Sequence, residues 1–568
     1  MMNNLSQNLS EALNKIKSNK LNDAEILYAK ILESFPENYD ANFYLGTILA
    51  KKKNLEEASK YLEKASKINP SIPDVHNNIG IINLGLKNFE KAEKFFKKAI
   101  KLKSNFVVAI CNLGIALVHQ NKIQDAKENF LKAIKLNENY NLPYFNLANL
   151  YKSLDDIKNA EKYYLKTISI APKYSPAYNN LLEIYDKSNQ NENLEQLIKK
   201  AEGENIDKTV ISLFKGKLNF KLKNYEKVIH FLESIHFDTK EFHEQTRLET
   251  IAKSYDHLGN YSQAFKYFEK VNKISLETNP NNADKRIFFN KLEERLNYFN
   301  FIDEGRWNKI DDIKNDEEEP IFLIGFPRSG TTLLDTILRS HPDIDVIEEK
   351  PIVDKFLEKL ELEIESNFSN LENISNKLFI NMRNTYLTLK NENIENNNKN
   401  IFIDKMPLNI AWVGEIYRFF PKAKFILALR NPYDCVLSCF MQNFRLNNAM
   451  ACFLNIEDAA KTYNMVMQLW NCYLKKFDIN YHTIKYEDVV KDFEPTVKNL
   501  LKFLDLPWSD KLNDFYKTAQ KRGIINTPSY NQVSQPIYTK SMNRWINYEE
   551  KFSNVKYLLD PWIKKYEF

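Results

Sequence analysis

Along the first half of the chain, small and large apolar positions recur with a period of 34 residues. Gly46, Gly80 and Gly114 stand one period apart, each preceded by a large aliphatic residue, Leu45, Ile79 or Leu113. Further on in each unit comes one alanine (Ala58, Ala92, Ala126) and then a second (Ala65, Ala99, Ala133). Pro36, Pro70 and Pro172 end their units, and Ser104 and Glu138 hold the same phase in others. This pattern predicts pairs of antiparallel helices. Small residues let two helix axes approach, Phe96, Phe130 and Tyr164 fill the groove, and proline stops the second helix because it has no N–H to offer. The phase starts near residue 5, kept by Ala24, Tyr28 and Pro36, and continues in weaker form through Leu194, Gly216, Val228, Ala264 and Phe268. Five clear units and about three degenerate ones are expected.

These positions resemble the tetratricopeptide repeat. The resemblance implies a curved all-α superhelix whose concave face holds a peptide or protein partner. Asn77, Asn78, Asn112, Asn146, Asn179 and Asn180 recur near the first helix of successive units, where they could grip an extended backbone or form ordinary polar surface.

Between residues 300 and 320 the repeat phase disappears, and Asn315-Asp316-Glu317-Glu318-Glu319-Pro320 reads as an exposed entry segment. Beyond it, strands predicted over 321–325, 401–404, 424–429 and 481–485 alternate with helices over 331–340, 409–420, 434–444, 456–477 and 494–504. Strands apolar on both faces indicate a parallel sheet covered by helices. Residues 353–390 read as a helical insertion ending in an asparagine-rich loop, 391–400. The expected architecture is a repeat domain over 5–295, a linker over 296–319, and an α/β P-loop-like domain over 320–568.

Composition narrows the function classes. A formal charge of +5 over 568 residues is small, and the chain shows none of the concentrated basic face that nucleic acid requires. Alternating Lys and Glu in the first half read as solvated helix faces. The opening residues lack a basic start followed by an apolar run, and no stretch reaches the ~20 apolar residues of a membrane helix. Cys111, Cys435, Cys439, Cys452 and Cys472 form no CxxC pair, which suits a reducing compartment and argues against structural zinc. A cytoplasmic location without a membrane segment is expected.

The most informative run is Ile321-Phe322-Leu323-Ile324-Gly325-Phe326-Pro327-Arg328-Ser329-Gly330-Thr331-Thr332. A buried strand passes through a turn directly into a helix, so successive N–H groups from Ser329 to Thr332 point into one concavity that favours an oxyanion. Gly330 permits close approach, and Arg328 offers a planar fork for phosphate or sulfate oxygens. Gly325 and Gly330 have Walker A spacing, but Thr331 stands where a nucleoside triphosphatase needs lysine.

The loop resembles the 5′-phosphosulfate-binding loop of sulfotransferases that use 3′-phosphoadenosine 5′-phosphosulfate (PAPS). His341-Pro342-Asp343 and Glu348-Glu349 resemble the tyrosylprotein branch, and Arg328 and Glu349 keep its 21-residue separation. The resemblance implies PAPS as donor, with no metal. Arg328, Ser329, Gly330, Thr331 and Thr332 would bind its phosphosulfate, while Arg430 and Ser438 would form the 3′-phosphate site. Tyr486, Ser529 and Arg544 would make further nucleotide contacts. It also implies Glu349 as general base, with Lys405 (in Asp404-Lys405-Met406-Pro407), Arg328 and Ser529 stabilising the charge on the departing group. His341 and Glu348 remain alternatives for the base. Gln442 and Gln535 depart from the branch, which carries arginine and lysine there. Three readings stay open: a sulfotransferase acting on a protein, tyrosine included, to which the repeats recruit the acceptor or a partner; a carbohydrate or small-molecule sulfotransferase whose repeats serve assembly; and a non-catalytic adaptor.

Overall fold

The structure, a computed structural model, describes residues 2–238, 242–279, 281–302, 307, 319–394, 399–521 and 542–568. Two compact units divide the chain, Met1–Lys227 and Val228–Phe568.

In the first unit, consecutive helices pack as antiparallel pairs, from Met2–Lys17 with Leu21–Ser34 onward. The periodic glycines are explained by contact. A Cβ on Gly80 would lie 2.5 Å from the Phe96 ring, one on Gly114 would lie 2.5 Å from Phe130, and one on Gly46 would lie 2.7 Å from Leu62. The residue sixteen positions on fills the space that each missing side chain leaves. A second periodicity appears in the backbone. Asn19, Lys53, Lys87, Asn121, Asp155, Asn189 and Lys223 all have φ between 55° and 64° and recur every 34 residues. Each closes the turn between the helices of a pair, where a left-handed residue reverses the chain. The phase thus runs unbroken through the units in which the glycine and alanine signature fades.

The second unit is built on a five-stranded parallel sheet with the order β2-β3-β1-β4-β5. The strands are β1 (Ile321–Gly325), β2 (Ile344–Glu348), β3 (Ile401–Lys405), β4 (Lys424–Leu429) and β5 (Asn480–Lys485). Strand β2 is absent from the sequence expectation. Its run Ile-Asp-Val-Ile-Glu follows His341-Pro342-Asp343 so closely that it reads as part of a turn. The insertion contains two helices, Ile352–Glu363 and Asn376–Glu392. One sheet face, with Leu323, Val346, Ile403, Ile426 and Ile484, packs on the helices Thr331–Arg339 and Phe493–Phe503. The other face, with Phe322, Ile324, Phe425 and Leu427, belongs to a larger core.

That larger core includes helices lying upstream of residue 320. Phe265 and Phe268 of helix Tyr261–Thr278, and Phe288, Leu292 and Phe299 of helix Lys285–Phe301, are buried in it. Polar anchors reinforce the packing. Asn272 Nδ2 donates to the carbonyls of Phe440 and Leu454, at 3.0 and 3.1 Å. Lys285 pairs with Asp458, and buried Arg295 donates from Nε to buried Glu415 at 2.6 Å. The compact unit therefore begins at Val228, well upstream of the expected linker.

Candidate active site

Order reverses in the sheet at β1: the chain first runs to β2 and β3 on one side of it and then crosses to β4 and β5 on the other. Ligands in parallel α/β sheets bind at such a switch point, beyond the carboxyl ends of the strands. The residues singled out in the sequence cluster there. The loop 326–330 follows β1, Glu348 and Glu349 end β2, Lys405 ends β3, Arg430 follows β4 and Tyr486 follows β5.

The loop is tightly built. A Cβ on Gly325 would lie 2.5 Å from the Ala428 carbonyl oxygen and 2.7 Å from Ser329 Oγ. Gly330 has φ 99°, open to glycine, and a Cβ there would meet the Tyr486 ring at 2.9 Å. Arg328 also lies in the left-handed region, with φ 70°. Its Nε donates to Ser438 Oγ at 2.9 Å, and its carbonyl accepts from Arg430 Nη1 at 3.2 Å. The Arg430 guanidinium stacks on Tyr486, 4.9 Å from the ring centroid. Arg328, Arg430, Ser438 and Tyr486 thus surround one turn of backbone. Thr331, Thr332 and Leu333 begin the helix, and the N–H groups of a first helical turn have no intrahelical acceptor. Ser329 Oγ is buried and has no hydrogen-bond partner among the described residues. A buried hydroxyl without a partner beside a row of helix N–H groups suits a multivalent oxyanion such as a phosphosulfate.

A charged cluster lies next to it. Glu348 and Lys405 are directly paired across β2 and β3, and the Glu349 N–H extends that ladder by donating to the Lys405 carbonyl at 2.8 Å. Glu349 then turns left-handed, with φ 48°, which brings its side chain back to the same lysine. Lys405 Nζ lies 2.7 Å from Glu349 Oε1, 3.4 Å from Glu348 Oε1 and 3.9 Å from Asp335 Oδ2. Burial by itself would depress the Lys405 ammonium, but the carboxylates of Asp335, Glu349 and Glu348 outweigh it and push the pKa up. Lys405 is therefore a cation at neutral pH. His341 is buried outside this cluster: its Nε2 lies 3.0 Å from the Pro507 carbonyl and its Nδ1 accepts from the Asp343 N–H at 3.2 Å.

Arg544 donates to Asp256 at 2.7 Å, and its neighbours Asn543 and Trp545 donate their N–H groups to Asp434, which lies 4.0 Å from Arg430. Ser529 and Gln535 lie outside the described residues. Gln442 donates to the Asn443 carbonyl at 3.4 Å. In the repeats, Asn78, Asn112, Asn146 and Asn180 each donate to the preceding unit, on Thr47, Asn77, Cys111 and Asn149. Those amide donors join neighbouring repeats. Asp335 and Arg339 escaped the sequence reading, although an Asp and an Arg four residues apart within an otherwise apolar helix are a signal for a buried ion pair.

Known proteins bear on both halves. A model of the sulfotransferase family matches residues 320–510. Models of the tetratricopeptide repeat match 15–77, 73–106, 107–140, 143–174 and 248–278. An uncharacterized protein of Aquifex aeolicus (strain VF5) is 28% identical over 54% of this chain, which spans only 41% of that protein's length. Protein-tyrosine sulfotransferase 1 of Danio rerio is 24% identical over 41% of this chain and 67% of its own. A tetratricopeptide repeat protein from Parabacteroides merdae superposes with a TM-score of 0.35 at 18% identity, over 44% of this chain and 98% of that one. Among the described residues no helix is long and apolar enough to cross a membrane. The chain carries tetratricopeptide repeats in its N-terminal region and a sulfotransferase-family domain, homologous to protein-tyrosine sulfotransferases, toward its C-terminus.

Proposed function

We propose that this chain transfers a sulfuryl group from PAPS to a hydroxyl acceptor, and that the acceptor is a protein tyrosine. The observation that carries the reading is the pair Glu349–Lys405, 2.7 Å apart at the strand ends beside the anion loop. When bound, PAPS supplies the sulfuryl group and a phosphate leaving group. Ser329 Oγ and the N–H groups of Thr331 and Thr332 would hold its phosphosulfate, and Arg430 with Ser438 its 3′-phosphate. Glu349, the more exposed carboxylate, takes the proton of the acceptor hydroxyl. Lys405 balances the negative charge that grows on the departing oxygen, and Arg328 lies next to the same turn. Positioning and fixed charge supply most of the rate in such in-line transfers.

The tyrosine acceptor is supported by homology to protein-tyrosine sulfotransferases, and the repeats would recruit that acceptor or a partner. Five buried free thiols support a reducing, cytoplasmic setting. The test is turnover of labelled PAPS with a tyrosine peptide, a simple phenol and an oligosaccharide. Glu349→Gln should lower kcat about 10²–10⁴-fold while leaving the affinity for the product PAP intact. Near-normal turnover in Glu349→Gln, together with loss of turnover in His341→Asn, would overturn the base assignment. Transfer to the oligosaccharide alone would overturn the acceptor.

A further inference from the structure

Lys405 is enclosed by three carboxylates that differ in what else they can do. The side chain of Lys405 is 0% exposed, Asp335 1%, Glu348 13% and Glu349 40%. Only Glu349 opens substantially to an incoming hydroxyl. Yet Glu349 is also the closest partner of Lys405, which creates a conflict. Once Glu349 has accepted a proton, its charge is gone, and a buried ammonium would be left against the cost of its own desolvation.

Asp335 is placed to resolve the conflict. It lies one turn into the helix that begins at the anion loop, with Oδ2 3.9 Å from Lys405 Nζ. Its other oxygen accepts from Arg339 Nε at 3.0 Å. Arg339 is itself fixed from behind, by Asp345 at 2.9 Å and by the Val346 carbonyl. Asp335 is therefore held by Arg339 and closed to solvent, out of reach of an acceptor. We propose that Asp335 is the permanent counter-ion of Lys405, a positioning residue that keeps the ammonium in place while Glu349 turns to the acceptor.

The groups facing Lys405 are Asp335 from the loop helix, Glu348 at the end of β2, and Glu349. The charge of Asp335 acts on the lysine more strongly than that of Glu349 or Glu348, and Glu349 adds a hydrogen bond. The inference rests on the role given above to Lys405, but its test separates the two. In the chain without donor, the ionisation of the buried Lys405 is read from the pH dependence of its 13Cε NMR shift in lysine-labelled protein, the signal being assigned by its loss in Lys405→Met. Asp335→Asn keeps the size of the side chain and an acceptor for Arg339, and should move the midpoint down by about one pH unit, a tenfold change in the ionisation constant. The alkaline limb of kcat should move with it, with PAP affinity unchanged. Asp335→Glu should restore both. An unmoved midpoint in Asp335→Asn overturns the inference whatever happens to the rate. Should that variant not fold, Arg339→Gln serves instead: it frees Asp335 for Lys405, so the midpoint must hold or rise, and a fall overturns the proposal. A shifted midpoint combined with a Lys405→Met enzyme of normal turnover would instead sink the proposed function and leave the counter-ion standing.

Discussion

Replacing Arg295 by methionine tests whether the helices upstream of residue 320 form one compact unit with the sheet. Arg295 and Glu415 are both buried, and they meet at 2.6 Å. The guanidinium also lies 4.3 Å from the ring centroid of Trp412 and 4.9 Å from that of Phe368. Methionine keeps the apolar stem but leaves Glu415 without its cation. Removing one partner of a buried pair costs about 3–5 kcal/mol, because the remaining charge is uncompensated. At about 2.1 cal/mol/K of unfolding entropy per residue, a unit running from Val228 to Phe568 loses about 1.4 °C per kcal/mol, so Tm should fall by about 4–7 °C. The loss should depend on pH. Burial already pushes the Glu415 carboxyl up, and Arg295 pulls it back. Without the arginine its folded pKa rises further above the unfolded one, so the penalty is complete above that pKa and relieved as pH falls through it. Scanning calorimetry at pH 5 and pH 7.5 should therefore show the larger loss at pH 7.5, and Glu415→Gln added to Arg295→Met should recover most of it. A variant that melts like the parent at both pH values would refute the claim that this helix belongs to the unit.

Other outcomes follow from the same contacts. A chain starting at residue 228 should melt cooperatively and bind PAP in calorimetry, whereas one starting at residue 300 should not, because it lacks Asp256, Asn272 and Arg295. Saturating PAP, at ~100 times its Kd, should stabilise the full chain by about 2.7 kcal/mol in thermal unfolding, and Arg430→Ala should remove most of that gain. Burial of Asp404, whose Oδ2 accepts from Tyr386 at 3.1 Å, pushes its carboxyl up to about 7. The folded chain then holds a proton that the unfolded chain has lost, so stability should fall as pH rises from about 4 to 7, by at most about 1.4 kcal/mol per pH unit, and Asp404→Asn should flatten that slope in denaturant titrations.

Local rules made much of this protein legible in its sequence. Helix pairs with a constant period need small residues at fixed contacts, so Gly80 against Phe96 and Gly114 against Phe130 leave a signature that survives without any structure. The strand, turn and helix of 321–339 are likewise contiguous in sequence, so the loop 326–330 could be placed directly between them. Strand β2 was hidden because five residues close behind a turn carry too little periodicity, and only pairing with β3 makes them a strand. That pairing sets Glu348 opposite Lys405, and the left-handed turn at Glu349 aims the second carboxylate at the same ammonium. Asp335 joins them only because the helix after β1 packs over β2, an arrangement that no spacing in the chain encodes. The limits of the second compact unit were also invisible locally. Helix Lys285–Phe301 continues the helical pattern of the repeats, yet Phe288, Leu292 and Phe299 lie in the sheet's core, and burial against residues more than a hundred positions away decides which unit it joins.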